Sequence, residues 1–546
     1  MARTPLLRSL VQMARDHRLA RQRGLPVSAL AEERARAAER RQALSRRRFL
    51  VGAGAATAAV TLPGIRSASA AGQPRIAIVG GGIAGLSAAL TLADAGVAST
   101  VYEASGRIGG RMFSNTTYWN DGQGSEWCGE LIDTGHKTIR QLAKRFNLSV
   151  KNLLKAEPNG AEDVYYFDGC YYPKAEADLD FAALSAVLDA DLQAADYPTT
   201  WDSSTAAGRA LDNMSVYDWI ESRVPGGHGS PLGQLLDVAY NIEYGAETTD
   251  QSALSILYLL AYQPNSSGLA IYGESDERFH IEGGNQQLPV AIANHLGLGT
   301  AVQTGHRMLA IAKNPSGTVT LTFSTATGTK TVVADHVILT LPFAVLRNLN
   351  YADAGFDAKK EQAIQQLGRG KNGKLQLQFS QRKWNQPGPW PGVSSGATYA
   401  DTGYQTTWEV TRGQPGTSGI LNDYTGGDTT LGMKTKVAFT TAVNNDVVKD
   451  ALRFLTQVAP VYPGLAPYWN GKATSSIPHL DPNFQCSYSY WRKGQYQAFA
   501  GYEKKKQGNI YFAGEHTSID FQGFMEGGAS EGTRAGNQVL KALGLA

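Results

Sequence analysis

The chain has 546 residues, enough for two or more domains with sizeable cores, and its mixed composition, 42% hydrophobic and 18% charged, excludes a disordered or fibrous protein. Its formal net charge of +3 hides an uneven distribution: residues 1–70 hold 14 arginines and 4 acids, leaving 37 basic against 44 acidic residues, a net −7 that argues against a nucleic-acid partner. Three cysteines, Cys128, Cys170 and Cys486, are too few for a disulfide framework and lack metal-ligand spacing, so no structural metal is expected, while a single disulfide stays open.

The basic front leads into Ser45-Arg46-Arg47-Arg48-Phe49-Leu50, then an Ala/Gly/Val-rich segment to Ile65, then Ser67-Ala68-Ser69-Ala70. This reads as a twin-arginine export signal cleaved after Ala70, which predicts a periplasmic or secreted protein. The apolar segment falls short of the roughly 20 strongly apolar residues of a spanning helix, so no stable membrane insertion is expected. The long region before Ser45 keeps open the other reading, a basic amphipathic helix retained on the folded protein.

From Arg75 to Val79 a short β-branched run ends in Gly80-Gly81-Gly82-Ile83-Ala84-Gly85, and apolar positions then recur at helical spacing through Leu92. Strand, glycine turn and helix in this order predict a dinucleotide site. Gly80 allows the turn, Gly82 lets backbone N–H groups reach a pyrophosphate at the helix N-terminus, Ala84 lies in that first turn, and Gly85 lets helix and strand pack closely. A second strand, Ser99 to Tyr102, delivers Glu103 and Ala104 about twenty residues after the glycines, where the carboxylate accepts ribose hydroxyls and repels a 2′-phosphate.

Directly after the acid comes Arg107-Ile108-Gly109-Gly110-Arg111, whose glycines bring backbone to the same pyrophosphate and whose two guanidiniums balance its charge. Together with Tyr511-Phe512-Ala513-Gly514-Glu515-His516-Thr517 and Gly523-Phe524-Met525-Glu526-Gly527-Gly528 near the C-terminus, these residues resemble the flavin-containing amine oxidases, which include monoamine, polyamine and L-amino-acid oxidases. The resemblance implies an α/β fold: a Rossmann-like FAD-binding domain of the GR2 type with an interleaved α+β substrate domain. It places Gly129 and Glu130 on a loop over the flavin, with Cys128 where the family usually has glycine. It also implies cofactor contacts from Gly514, Glu515, Gly523, Phe524 and Met525, and from Val302 against adenine.

The intervening chain divides accordingly. The FAD-binding domain is expected in 71–150, 274–345 and 472–546, the substrate domain in 151–273 and 346–471. A helix is predicted from about Thr138 to Phe146, and helical periodicity marks Leu179 to Leu192, Leu232 to Tyr240 and Asp250 to Tyr262, the last capped by Asp250. Aromatics in this stretch read as core. Phe279 to Pro289 matches the family's "GG…LP" segment, Val337 to Leu341 reads as a buried strand, and Arg347 to about Gly471 as alternating strands and loops with Trp384, Trp408 and Tyr424 as notable aromatics.

Lys374 begins the strand KLQLQF ten positions before Trp384, the spacing at which the family places the lysine that holds a water at flavin N5; Lys371 is the competing residue. Phe524 matches one of two aromatic rings that flank the amine in monoamine oxidases. For the other, Ser487 stands at the matching place and a one-residue slip gives Tyr488. Cys486 stands where some monoamine oxidases bind flavin covalently, although non-covalent FAD is expected. Phe113 occupies the place of the arginine with which snake-venom L-amino-acid oxidases grip the substrate carboxylate; Arg412 or Arg278 would have to supply it, or the substrate is a simple amine.

The resemblance thus implies oxidation of an amine or L-amino acid to the imine, hydrolysis to a carbonyl compound and ammonia, and reduction of O2 to H2O2. Two alternatives are dehydrogenation of a polyene or porphyrinogen on the same fold, and a binding protein with a vestigial nucleotide fold. A homodimer is left open.

Overall fold

The structure is a computed structural model, and it describes residues 74–264 and 268–545. The twin-arginine segment lies outside the described residues.

The five-stranded sheet that carries the glycine turn is wholly parallel, in the order Ile510–Phe512, His336–Leu339, Ile76–Val79, Thr100–Tyr102, Val302–Gln303. Strands from distant parts of the sequence meet here because each brings buried apolar residues, Ile78, Val101, Val302, Ile338 and Tyr511 among them, to one core. The helix Ile83–Asp94 follows the first strand, and the C-terminal helix Met525–Ala542 packs along it. That contact depends on Gly532, where a Cβ would lie 2.1 Å from the Ala84 carbonyl oxygen.

A second sheet of eight strands runs Phe439–Thr441, Trp469–Ser476, Gly373–Phe379, Gly419–Thr425, Thr406–Glu409, Val393–Ala400, Ala161–Phe167, Cys170–Tyr172. Its pairs are antiparallel except Val393–Ala400 with Ala161–Phe167. Helices Lys174–Ala195, Pro231–Tyr244 and Ala253–Leu260 share one core with parts of both sheets. A three-stranded antiparallel sheet, Arg307–Lys313, Val319–Thr325 and Gly328–Ala334, follows the edge strand Val302–Gln303.

Two expectations need correction. Asp250 does not cap a helix: Gln251 and Ser252 are held by bridges to Arg492 and Ser215, so the helix starts at Ala253 with the Ser252 hydroxyl accepting from the Leu254 N–H. Asp250 instead accepts hydrogen bonds from Tyr490 and Arg492. The stretch Arg347 to Gly471 also contains a 14-residue helix, Asn445–Val458, capped by Asn444 and burying Val447, Ala451, Phe454, Leu455 and Val458 at helical spacing. Among the described residues, no helix is long and apolar enough to cross a membrane, and no group of three or more His, Cys, Asp or Glu is arranged to hold a metal ion.

Candidate active site

One cavity of about 570 Å³ runs from the glycine turn to the face of the eight-stranded sheet. At its first end lie Gly80, Gly82, Ala84, Glu103, Ala104, Arg107, Gly109 and Gly110. Gly85 is not on the wall: a Cβ there would sit 2.0 Å from the Gly80 carbonyl oxygen, so it sets the approach of helix to strand. At Gly82 the nearest protein atom to an added Cβ is the Gly110 Cα, 3.9 Å away, so open space lies over the N-terminus of the helix Ile83–Asp94. No side chain caps that terminus and no acid stands in its first turn, which leaves its N–H groups and the positive end of the helix dipole for an anion.

Glu103 is fastened at the end of its strand, one oxygen accepting from the Gly81 N–H (2.7 Å) and the other from the Ser105 N–H and hydroxyl (2.8 Å each). Arg107 lies with its guanidinium 3.8 Å above the Phe113 ring, and its buried Nη1 has no partner in the protein. A buried donor of that kind calls for an anion. A dinucleotide therefore fits this end: pyrophosphate at Gly82 and Arg107, ribose at Glu103. We expect Glu103→Ala to weaken its binding by about 1.5–3 kcal/mol, the loss of charge-assisted hydrogen bonds, when apoprotein is titrated with the nucleotide; an unchanged dissociation constant would remove the carboxylate from the ribose.

One cofactor assignment changes, and two residues carry a further role. Val302 is fully buried beside Val101 at the sheet edge, its side chain in the core, so His306, Arg307 and Met308 form that part of the wall. Arg111 lines the cavity, but its Nη1 donates to the Ser487 carbonyl and is paired with Glu515 at 3.1 Å, so its charge is already partly balanced. Glu515 lines the cavity and also accepts from the Ser489 hydroxyl and the Gly523 N–H, so this carboxylate braces the wall on which it stands.

Over the middle of the cavity, Cys128, Gly129, Glu130, Gly514, Gly523 and Met525 contribute to the lining. Gly129 is tightly placed, since a Cβ would come 3.0 Å from Met525 Sδ. Lys374 is buried at the start of the strand Gly373–Phe379, its Nζ donating to Glu130 Oε2 at 2.6 Å and to the Cys128 carbonyl at 2.8 Å. Glu130 accepts from Trp408 Nε1 at 2.9 Å through its other oxygen. Burial alone would raise the Glu130 carboxyl, but the Lys374 charge and these hydrogen bonds outweigh it and hold it below the ordinary range. Glu130 thus acts through Lys374. Lys371 is absent from the cavity lining.

Tyr488 and Phe524 both face the cavity. The Tyr488 hydroxyl lies 3.0 Å from that of Tyr424 and donates to the Ile242 carbonyl, and its ring packs against Gly523, 3.6 Å from where a Cβ would be. Ser487 spends its hydroxyl on Asn372, so the aromatic surface comes from Tyr488. The Cys486 thiol is turned away from the cavity lining toward the Phe484 carbonyl, and burial pushes it up to about 11. Phe113 is not on the wall either, and Arg278, also absent from it, is paired with the lining residue Asp276. Arg412 lines the cavity but is bound to Glu157 at 2.5 Å.

Sequence reasoning missed the far wall. Tyr165, Tyr244 and Tyr272, expected in the core, line it together with Tyr399, and the acids Asp163, Glu243 and Glu277 face the same space. Nothing in the local pattern distinguishes these residues from core aromatics and surface acids; the topology alone brings them together.

The chain is 25% identical over 499 residues to the L-amino-acid oxidase of Pseudechis australis, covering 85% of this chain and 86% of that protein. It is 24% identical over 528 residues to pseudooxynicotine dehydrogenase of Pseudomonas sp, covering 92% and 96%. Its fold matches that of cyclohexylamine oxidase from Brevibacterium oxydans IH-35A with a TM-score of 0.71 at 19% identity, over 87% of this chain and all of that one. The description of the flavin containing amine oxidoreductases matches residues 83–540. The cradle for a dinucleotide, the lysine and aromatic wall beyond it, and this match over most of the chain establish that the protein belongs to the flavin-containing amine oxidoreductase family.

Proposed function

We propose that the protein is an FAD-dependent oxidase that deaminates a small amine. The observation that carries this reading is the continuity of one cavity, whose lining runs from a cradle for FAD to buried Lys374 and the rings of Tyr424, Tyr488 and Phe524. When bound, FAD supplies the two-electron acceptor for the carbon bearing the amine and returns the electrons to O2. The balanced outcome is R–CH2–NH2 + O2 → R–CH=NH + H2O2, followed by water converting the imine to R–CHO and NH3.

The chain's own residues supply position and protons. The aromatic wall excludes water and orients the amine, so that its neutral nitrogen and the adjacent C–H bond meet the reacting face in one geometry. Lys374, fixed by Glu130 and the Cys128 carbonyl, holds a water or moves a proton at its Nζ. The position of Cys486 away from the wall supports non-covalent FAD. The twin-arginine segment supports export of the already folded, flavin-loaded protein.

The test is peroxide release by the purified yellow protein against primary amines and L-amino acids in parallel. Release with at least one class is expected. Absence of flavin absorbance, even after refolding with FAD, would sink the reading.

A further inference from the structure

Resting on the amine-oxidase reading, we infer that the substrate carries a second, cationic nitrogen, which Glu243 and Glu277 hold at the end of the cavity beyond the Tyr424–Tyr488 pair.

Both carboxylates line the cavity, and among the described residues neither has a hydrogen-bond or ion-pair partner. Each also stands where the backbone makes an acid costly to keep. Glu243 lies in the last turn of the helix Pro231–Tyr244, at the negative end of its dipole. Glu277 adopts φ +42, a left-handed conformation that disfavours side chains, held by its N–H donating to Asp133 Oδ1 at 2.9 Å. Two acids under local strain, facing one cavity without a counter-ion, indicate that the charge is completed by a ligand.

The surroundings favour a cation over a carboxylate. Tyr165, Tyr272 and Tyr399 present rings to the same space, a setting that receives ammonium groups through their π faces. The nearby cations are already neutralised, Lys374 by Glu130 and Arg412 by Glu157. Asp163 adds a third acid without a partner. Burial, then repulsion by Asp133, pushes the Glu277 carboxyl up to about 8 against the pull of Arg412, and burial, then repulsion by Glu277, pushes Glu243 well above the ordinary range, a cost that an incoming ammonium relieves. A substrate with a carboxylate at its far end would meet repulsion there.

The experiment compares kcat/KM of the flavin-loaded protein for cadaverine, n-hexylamine and 5-aminopentanoate, which are similar in length and differ in the charge of the far end. Cadaverine is expected to exceed n-hexylamine by about tenfold or more, the worth of one charged hydrogen bond, and Glu243→Gln and Glu277→Gln are each expected to lower that ratio by about tenfold. Glutamine keeps the shape, and thermal unfolding of each variant reports folding separately. A cadaverine-to-hexylamine ratio near one in the wild type, a ratio that either variant leaves unchanged, or a preference for 5-aminopentanoate would overturn the inference while leaving the amine-oxidase reading intact. No peroxide from any of the three, nor from a wider amine panel, would instead strike the reading on which it rests.

Discussion

Gly82→Val is expected to yield a folded, soluble and colourless protein. Gly82 has φ −77 and ψ 177, an extended conformation open to any residue, and the nearest protein atom to its added Cβ is 3.9 Å away, so the chain itself accommodates the substitution. The valine methyls would instead fill the space over the helix N-terminus, where backbone N–H groups must approach the pyrophosphate. Gly85 provides the contrast: its Cβ would lie 2.0 Å from the Gly80 carbonyl oxygen, so Gly85→Val should fail to fold. Circular dichroism and the ratio of visible to ultraviolet absorbance distinguish the two outcomes. A Gly82→Val protein with full flavin occupancy would refute the cradle.

Lys374→Met is expected to slow turnover by about 100-fold or more, the usual worth of a positioned proton donor, while flavin content stays intact because Lys374 is bonded to Glu130 and the Cys128 carbonyl and not to the cradle residues Gly82 and Glu103. The same substitution has a cost in stability. The pair is buried, with side chains 9% and 6% exposed, so removing the lysine leaves the Glu130 charge facing Trp408 alone, a loss of about 3–5 kcal/mol. Adding Glu130→Gln should restore most of the thermal stability and none of the activity. Recovery of activity in the double variant would reduce Lys374 to a structural partner of Glu130.

The glycine turn was legible because its chemistry is local: a buried strand, glycines at fixed offsets and an acid at the end of the next strand each have one physical use. Lys374 came from the family resemblance, by its place ten positions before Trp384, and the structure puts it rather than Lys371 on the cavity wall. Val302 misled because two apolar positions near a sheet edge, Val302 and Met308, look alike until the sheet decides which one faces inward. The helix Asn445–Val458 carries a readable period and an Asn cap, yet strands on both sides drew it into a strand-rich reading. The choice between Ser487 and Tyr488 needed the packing of Gly523 and the Asn372 hydrogen bond. Glu243 and Glu277 were beyond reach, since a helix end and a strained loop residue share a cavity only through tertiary structure.

The most direct measurement is anaerobic rapid mixing of the yellow protein with an amine, followed by admission of oxygen. The visible flavin absorbance should bleach on mixing with amine, return on adding O2, and release one H2O2 for each flavin reduced, with ammonia appearing in equal amount. A flavin that stays oxidised in the presence of every amine and amino acid tried, or that bleaches without forming ammonia, would contradict amine oxidation in this cavity.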